Sequence, residues 1–132
     1  MTRVITFGTF DLLHVGHVNL LFRASQLGDC LTVGVSSSKL NLEKKSRLPV
    51  FSTSDRLKII SSISFVSEVF EEESLDKKRE YIQKYRADVL VMGSDWQGKF
   101  DYLSDVVRVE YLPRTEGIST SNLLSEIVKN HI

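Results

Sequence analysis

Five short apolar or β-branched runs, separated by stretches with helical spacing, constrain this chain more than any other feature. The runs are 3–7 (RVITF), 30–35 (CLTVGV), 67–71 (SEVFE), 88–92 (DVLVM) and 106–112 (VVRVEYL). Each has the length and residue type of a strand. Segment 16–28 places Val18, Leu21 and Phe22 at helical spacing, with Leu20, Ala24 and Leu27 one step round, and closes at Gly28. Ser52, Thr53, Ser54 and Asp55 offer caps for a helix carrying Leu57, Ile59, Ile60 and Ile63. Ser74 caps a charged helix to about Arg86, with Leu75, Tyr81, Ile82 and Tyr85 on its inner side. Segment 119–130 (STSNLLSEIVKN) predicts a final helix. Segment 36–51 is polar, contains Pro49 and predicts a long loop of the kind that is usually functional or mobile. The acidic residues Glu68, Glu71, Glu72 and Glu73 predict a solvated edge.

Strands alternating with helices imply a parallel sheet covered on both faces. The expected fold is therefore α/β, a Rossmann-like doubly wound five-stranded parallel sheet. The length of 132 residues allows one core, hence a single domain over 1–132. In such sheets ligands sit outside the carboxyl ends of the strands, here at Gly8, segment 36–51, Gly93 and Pro113. Lys plus Arg (17) balances Asp plus Glu (17), which argues against a general nucleic-acid or membrane-surface binder. The single cysteine, Cys30, excludes an internal disulfide and a cysteine-rich zinc site. No signal peptide is visible at the start, and no apolar run nears the ~20 residues that span a bilayer. A cytoplasmic protein without membrane insertion is expected.

The first strand delivers GTFDLLHVGHVNLL at 8–21. This is neither the dinucleotide pattern G-x-G-x-x-G nor a P-loop. Gly8, Thr9 and Phe10 leave the strand with backbone N–H groups available. His14 and His17 stand three apart at a helix start, on neighbouring faces. Gly16 between them permits close backbone approach. The helix that follows brings unpaired N–H groups and the positive end of its dipole. Two imidazoles, a glycine and a helix N-terminus suit an anion, and phosphate above others. Either histidine alone is more often structural. A metal role fits less well, because the helical zinc pattern is His-Glu-x-x-His.

The G-T-F-D-x-x-H-x-G-H string resembles the HxGH nucleotidyltransferase superfamily. Three further segments resemble its glycerol-3-phosphate cytidylyltransferase branch: 41–44 (NLEK), 91–101 (VMGSDWQGKFD) and 111–120 (YLPRTEGIST). The likeness runs nearly end to end. It implies transfer of a cytidylyl group from CTP to sn-glycerol 3-phosphate, giving CDP-glycerol for polymers such as teichoic acid or capsule. It further implies Mg²⁺ carried with CTP, no metal-ligand set on the chain, and a homodimer. The resemblance assigns His14, His17, Lys44 and Arg114 to catalysis. It assigns CTP to Gly8, Thr9, Phe10, Asp11, His14, Gly16 and His17, to Asp95, and to a second segment. That segment comprises Arg114, Thr115, Glu116, Gly117, Ile118, Ser119, Thr120 and Ser121. Lys44 and Lys78 match acceptor-phosphate positions.

Residue chemistry fits these roles. Arg114 offers a planar charged fork for triphosphate oxygens. Ser119, Thr120 and Ser121 open a second anion-binding helix end. Asp11, an anion beside phosphate, reads as orienting the loop or a neighbouring cation. Asp95 can accept from ribose or the cytosine amino group, and Trp96 reads as packing. Arg56 stands either as a phosphate ligand or as a structural residue. The chain departs from the branch at Ser46, Ser64 and Leu75, where the pattern implies lysine, arginine and tryptophan; all three bear on the acceptor side. Transfer to another polyol phosphate, from CTP or ATP, and a non-catalytic nucleotide sensor are the alternatives.

Overall fold

The structure, a computed structural model, describes residues 1–132. Five parallel strands form one sheet: β1 (Arg3–Gly8), β2 (Cys30–Ser36), β3 (Glu68–Glu72), β4 (Val89–Gly93) and β5 (Arg108–Leu112). Their spatial order is β3-β2-β1-β4-β5. The chain winds outward from β1 to β3, then returns to the other side of β1 for β4 and β5. The order therefore reverses between β1 and β4, which is where such a sheet opens a crevice at its carboxyl edge. Gly8 and Gly93 end those two strands.

Successive β1 side chains go to opposite faces, and both faces are buried. Val4, with Leu31, Val33, Val35, Val89 and Val91, packs on Leu21 and Ala24 of α1 (Val15–Ser25) and on Ile60 of α3 (Thr53–Ser61). Ile5 and Phe7, with Leu90 and Met92, pack on Ile82 of α4 (Lys78–Lys84) and on Leu103 and Val107. Two buried faces explain why the central strands read as unbroken apolar runs rather than alternating ones. Helix α5 (Thr120–Asn130) buries no residue fully, and Ile127 and Val128 stay exposed.

Three expectations change. Segment 36–51 is not one loop, since Ser38–Lys45 forms helix α2. Ser37 caps its N-terminus and Ser46 ends it in the left-handed conformation at φ 58°. Its sequence, SKLNLEKK, lacks an apolar stripe; of its two leucines, Leu40 is buried and Leu42 is exposed, so periodicity could not reveal it. The helix after Ser74 begins as a 3₁₀ turn at Leu75–Lys77, which leaves Leu75 exposed rather than inward. The acidic edge is not wholly solvated either, because Glu72 is fully buried.

Candidate active site

Beyond Gly8 the backbone turns sharply, with Phe10 and Leu12 both at positive φ (53° and 50°). Neither residue favours that region, and such strain concentrates at functional turns. The turn sends the Phe10 ring back into the core and frees residues 11–14 to approach α1 from outside. His14 becomes the N-cap of α1. Its Nδ1 accepts from the Gly16 N–H at 3.1 Å, and the His17 Nδ1 accepts from the His14 N–H at 3.2 Å. This is a reciprocal capping box built from two imidazoles in place of the usual Ser/Thr and Glu/Gln. Gly16 is required for it. A Cβ there would lie 2.9 Å from the His14 ring, so the glycine makes room for the imidazole rather than for a ligand alone.

The capping bonds settle the tautomers. With each Nδ1 accepting, each neutral ring carries its proton on Nε2 as a donor. The rings stack at 3.8 Å between centroids, 21° from parallel. Burial, then the adjacent His14, pushes the His17 pKa down to about 4 against the pull of Asp11. Burial, then the Arg114 charge, lowers that of His14. Both rings are thus neutral hydrogen-bond donors near pH 7.

A second helix start meets the first. Ser119 caps α5 by accepting from the Asn122 N–H. The Thr120 hydroxyl donates to the Asp11 carbonyl at 2.9 Å, and the Asn19 amide donates to the Thr115 hydroxyl at 2.9 Å. Ile118 lies against Gly16. These ties set the N-termini of α1 and α5 along one cleft of about 750 Å³, a volume in the range of small-molecule sites. Gly8, Thr9, Phe10, Asp11, His14, Gly16 and His17 line it, as do Arg114, Thr115, Ile118, Ser119, Thr120 and Ser121. Glu116 and Gly117 do not; they form the exposed bend before α5, with Gly117 at φ 80°.

Asp11 spends both carboxylate oxygens on the chain, accepting from the N–H groups of Val50 (2.7 Å) and Phe51 (3.0 Å). It anchors the loop after α2. Asp95 also lines the cleft, and its Oδ2 accepts from the Arg114 guanidinium at 2.9 Å, both side chains half-exposed. Trp96 rests on Phe100 with centroids 5.7 Å apart and remains partly exposed at the cleft. Arg56 is structural. It is fully buried and donates to the carbonyls of Phe51, Thr9 and Ser36 and to the Ser38 and Thr53 hydroxyls.

The other end of the cleft is cationic. The Lys44 ammonium donates to the Ser36 hydroxyl at 3.3 Å. Burial, then the Lys45 charge, brings its pKa down to about 8. Lys78 is not a free surface lysine. It is buried against Glu72 at 2.5 Å, with its ammonium 4.4 Å from the Phe7 ring centroid. Among the departures, Leu75 lines this end but Ser64 does not. Ser64 lies in the turn between α3 and β3, at the amino edge of the sheet. Three contributors escaped the sequence: Glu72, Ser36 and Asn41, whose buried amide oxygen accepts from the Thr9 hydroxyl at 2.7 Å. No helix is long and apolar enough to cross a membrane.

The cytidylyltransferase-like family profile matches residues 5–125. The chain is 50% identical to the glycerol-3-phosphate cytidylyltransferase of Bacillus subtilis (strain 168), over 96% of this chain and 98% of that one. It is 43% identical to the enzyme of the same name from Staphylococcus aureus (strain NCTC 8325 / PS 47), over 96% of each. Among solved structures it is similar to a lipopolysaccharide core biosynthesis protein from Thermoplasma volcanium GSS1. That similarity has a TM-score of 0.74 at 25% identity, and covers 88% of this chain and 99% of that one.

Proposed function

The chain belongs to the cytidylyltransferase-like family and to its glycerol-3-phosphate cytidylyltransferase branch, and from that membership we infer that it transfers the cytidylyl group of CTP to sn-glycerol 3-phosphate. An acceptor phosphate oxygen attacks the α-phosphorus, the bond to the bridging oxygen breaks, and pyrophosphate leaves. CDP-glycerol remains, an activated precursor for envelope polymers such as teichoic acid or capsule. Little covalent work falls to the protein; positioning and charge stabilisation carry the rate.

The observation that supports this reading best is the locked histidine pair. Two Nε2–H donors beside a helix N-terminus suit a pyrophosphate leaving group, whose bridging oxygen gains charge as the bond breaks. Neutral rings fit a donor role better than a proton-shuttling one. Arg114 and the start of α5 bring further positive potential to the triphosphate, once Arg114 turns from Asp95. Mg²⁺ belongs to the reading as part of the substrate, held by triphosphate oxygens. Lys44 and Lys78 face the acceptor phosphate, and a cytoplasmic homodimer completes the proposal. Its test is pyrophosphate release from CTP with and without glycerol 3-phosphate. Release that depends on the acceptor supports the reading. Release with another polyol phosphate alone replaces the acceptor, and nucleotide binding without release leaves a sensor.

A further inference from the structure

Strands β2 and β3 end in register, Ser36 opposite Glu72. Glu72 is wholly excluded from solvent, yet it lines the floor of the cleft. One carboxylate oxygen takes the Lys78 ammonium at 2.5 Å, and the other accepts from the Ser36 hydroxyl at 3.2 Å. The Ser36 oxygen in turn accepts from the Lys44 ammonium at 3.3 Å. The hydroxyl has one proton to give and gives it to Glu72, so its lone pairs are left for the lysine. The result is one chain, Lys44–Ser36–Glu72–Lys78, drawn from α2, β2, β3 and α4.

We propose that Glu72 is a positioning residue for the acceptor phosphate, holding Lys78 directly and Lys44 through Ser36, so that both ammonium groups are set before a phosphate monoester arrives. This rests on the acceptor reading given above and deepens it. The physical need is clear. Two ammonium groups brought together at the end of a cleft repel one another and give up solvation. A buried carboxylate between them offsets that cost and fixes their geometry. Burial and neighbouring cations press Lys44 towards neutrality, and the Glu72 charge opposes them. The three side chains sum to one positive charge, which leaves the pocket attractive to a dianion. Ser36 transmits the constraint because its bond to Glu72 orients the hydroxyl that receives Lys44.

The test compares Glu72→Gln, Glu72→Asp and Ser36→Ala with the unaltered enzyme, using CTP and glycerol 3-phosphate. Glu72→Gln is expected to raise KM for glycerol 3-phosphate about tenfold or more, the scale of a lost bond to a charged group. KM for CTP is expected to stay within about twofold, because no nucleotide-side residue bonds to Glu72. Glu72→Asp keeps the charge and is expected to recover part of the loss. Ser36→Ala keeps the Glu72–Lys78 pair, so it reads the Lys44 arm even if Glu72→Gln fails to fold. It is expected to raise the acceptor KM a few-fold. Equal loss in both KM values, or an unmoved acceptor KM in a folded Ser36→Ala or Glu72→Gln variant, overturns the proposal. An unaltered enzyme that releases no pyrophosphate with glycerol 3-phosphate instead overturns the acceptor reading itself, before any variant is compared.

Discussion

On the side assigned to the nucleotide, the groups on offer are backbone N–H groups, rings that the backbone holds, and the Arg114 guanidinium. His14 and His17 are fixed by two main-chain bonds within four residues, and the α5 end is fixed by its own cap and by Thr120. On the acceptor side the groups are ammonium ions on α2 and α4, held directly or through Ser36 by a carboxylate from β3. Of the first side, the histidine turn is local in sequence and orders itself, and one long-range bond from Thr120 ties the α5 end to it. The second side depends on four elements arriving together and on a buried charge remaining paired. Arg56 joins them, since it donates to the Thr9 carbonyl on one side and to the Ser36 carbonyl on the other. A locally built donor set tolerates change elsewhere in the fold, whereas a buried ionic chain passes any disturbance along its length.

The largest expected effect tests the nucleotide side. Replacing His14 or His17 by Ala is expected to lower kcat by about 10²–10³, the cost of removing one charge-stabilising donor. Each variant also loses one capping bond, worth about 1 kcal/mol of stability, which a thermal melt reports separately. Normal turnover in both single variants would remove the histidines from the site and dissolve the contrast drawn here.

Arg114→Lys asks whether the nucleotide side also relies on geometry rather than charge. The variant keeps the cation and loses the planar fork. A loss of about tenfold in kcat/KM for CTP is expected, because a point charge does not reproduce a bidentate contact. A variant equal to the parent would show that Arg114 acts only as a charge, as the acceptor lysines do.

Acidity separates the two sides more gently. Both histidines are pushed below their ordinary value, and His17, at about 4, adds no step to the pH profile near neutrality. Lys44 sits at about 8. As pH rises through that value the ammonium loses its proton, and the neutral amine attracts a phosphate dianion less. Between about pH 7 and about pH 9, kcat/KM for glycerol 3-phosphate is expected to fall a few-fold while KM for CTP holds. Lys45, Lys78 and Arg56 press Lys44 towards the neutral form and Glu72 resists them. A profile flat for both substrates would mean that Lys44 is not an acceptor ligand.

The same division decided what could be read from the chain. All five strands follow from runs whose residues carry the signal themselves, and the HxGH turn is one contiguous string. Both histidines lie within that string, so spacing alone brings the rings together. Glu72 was invisible for the opposite reason. Its neighbours Glu71 and Glu73 are exposed, and strand alternation does not say which acidic residue turns inward until Phe70 is seen packing beside Tyr81. Helix α2 was hidden because capping and tertiary contact hold it rather than an apolar stripe. Arg56 read equally well as a ligand or as a strut, since only the finished fold shows the carbonyls that surround it.

Leu75 carries the smallest expected effect and the finest question, which acceptor fits. Ser64 lies at the far edge of the sheet and Ser46 is spent on ending α2, so Leu75 is the one departure with a place in the cleft. It stands where the branch pattern implies tryptophan, two residues before the Lys77–Lys78 pair, and it is exposed at the rim. The smaller side chain leaves room beyond the phosphate cations. Base choice is expected to stay sharp, with CTP preferred to ATP, because a pocket that bonds the cytosine edge leaves polar groups unpaired beside a purine. Acceptor choice is expected to be looser, with five-carbon polyol phosphates within about tenfold of glycerol 3-phosphate in kcat/KM. Leu75→Trp is expected to widen that gap about threefold, chiefly by slowing the longer acceptors, since an added ring at an exposed rim excludes volume at little cost to the fold. A hundredfold preference for a five-carbon acceptor in the unaltered chain would replace glycerol phosphate as the substrate and leave cytidylyl transfer standing. Equal use of ATP and CTP would strike at the nucleotide side instead.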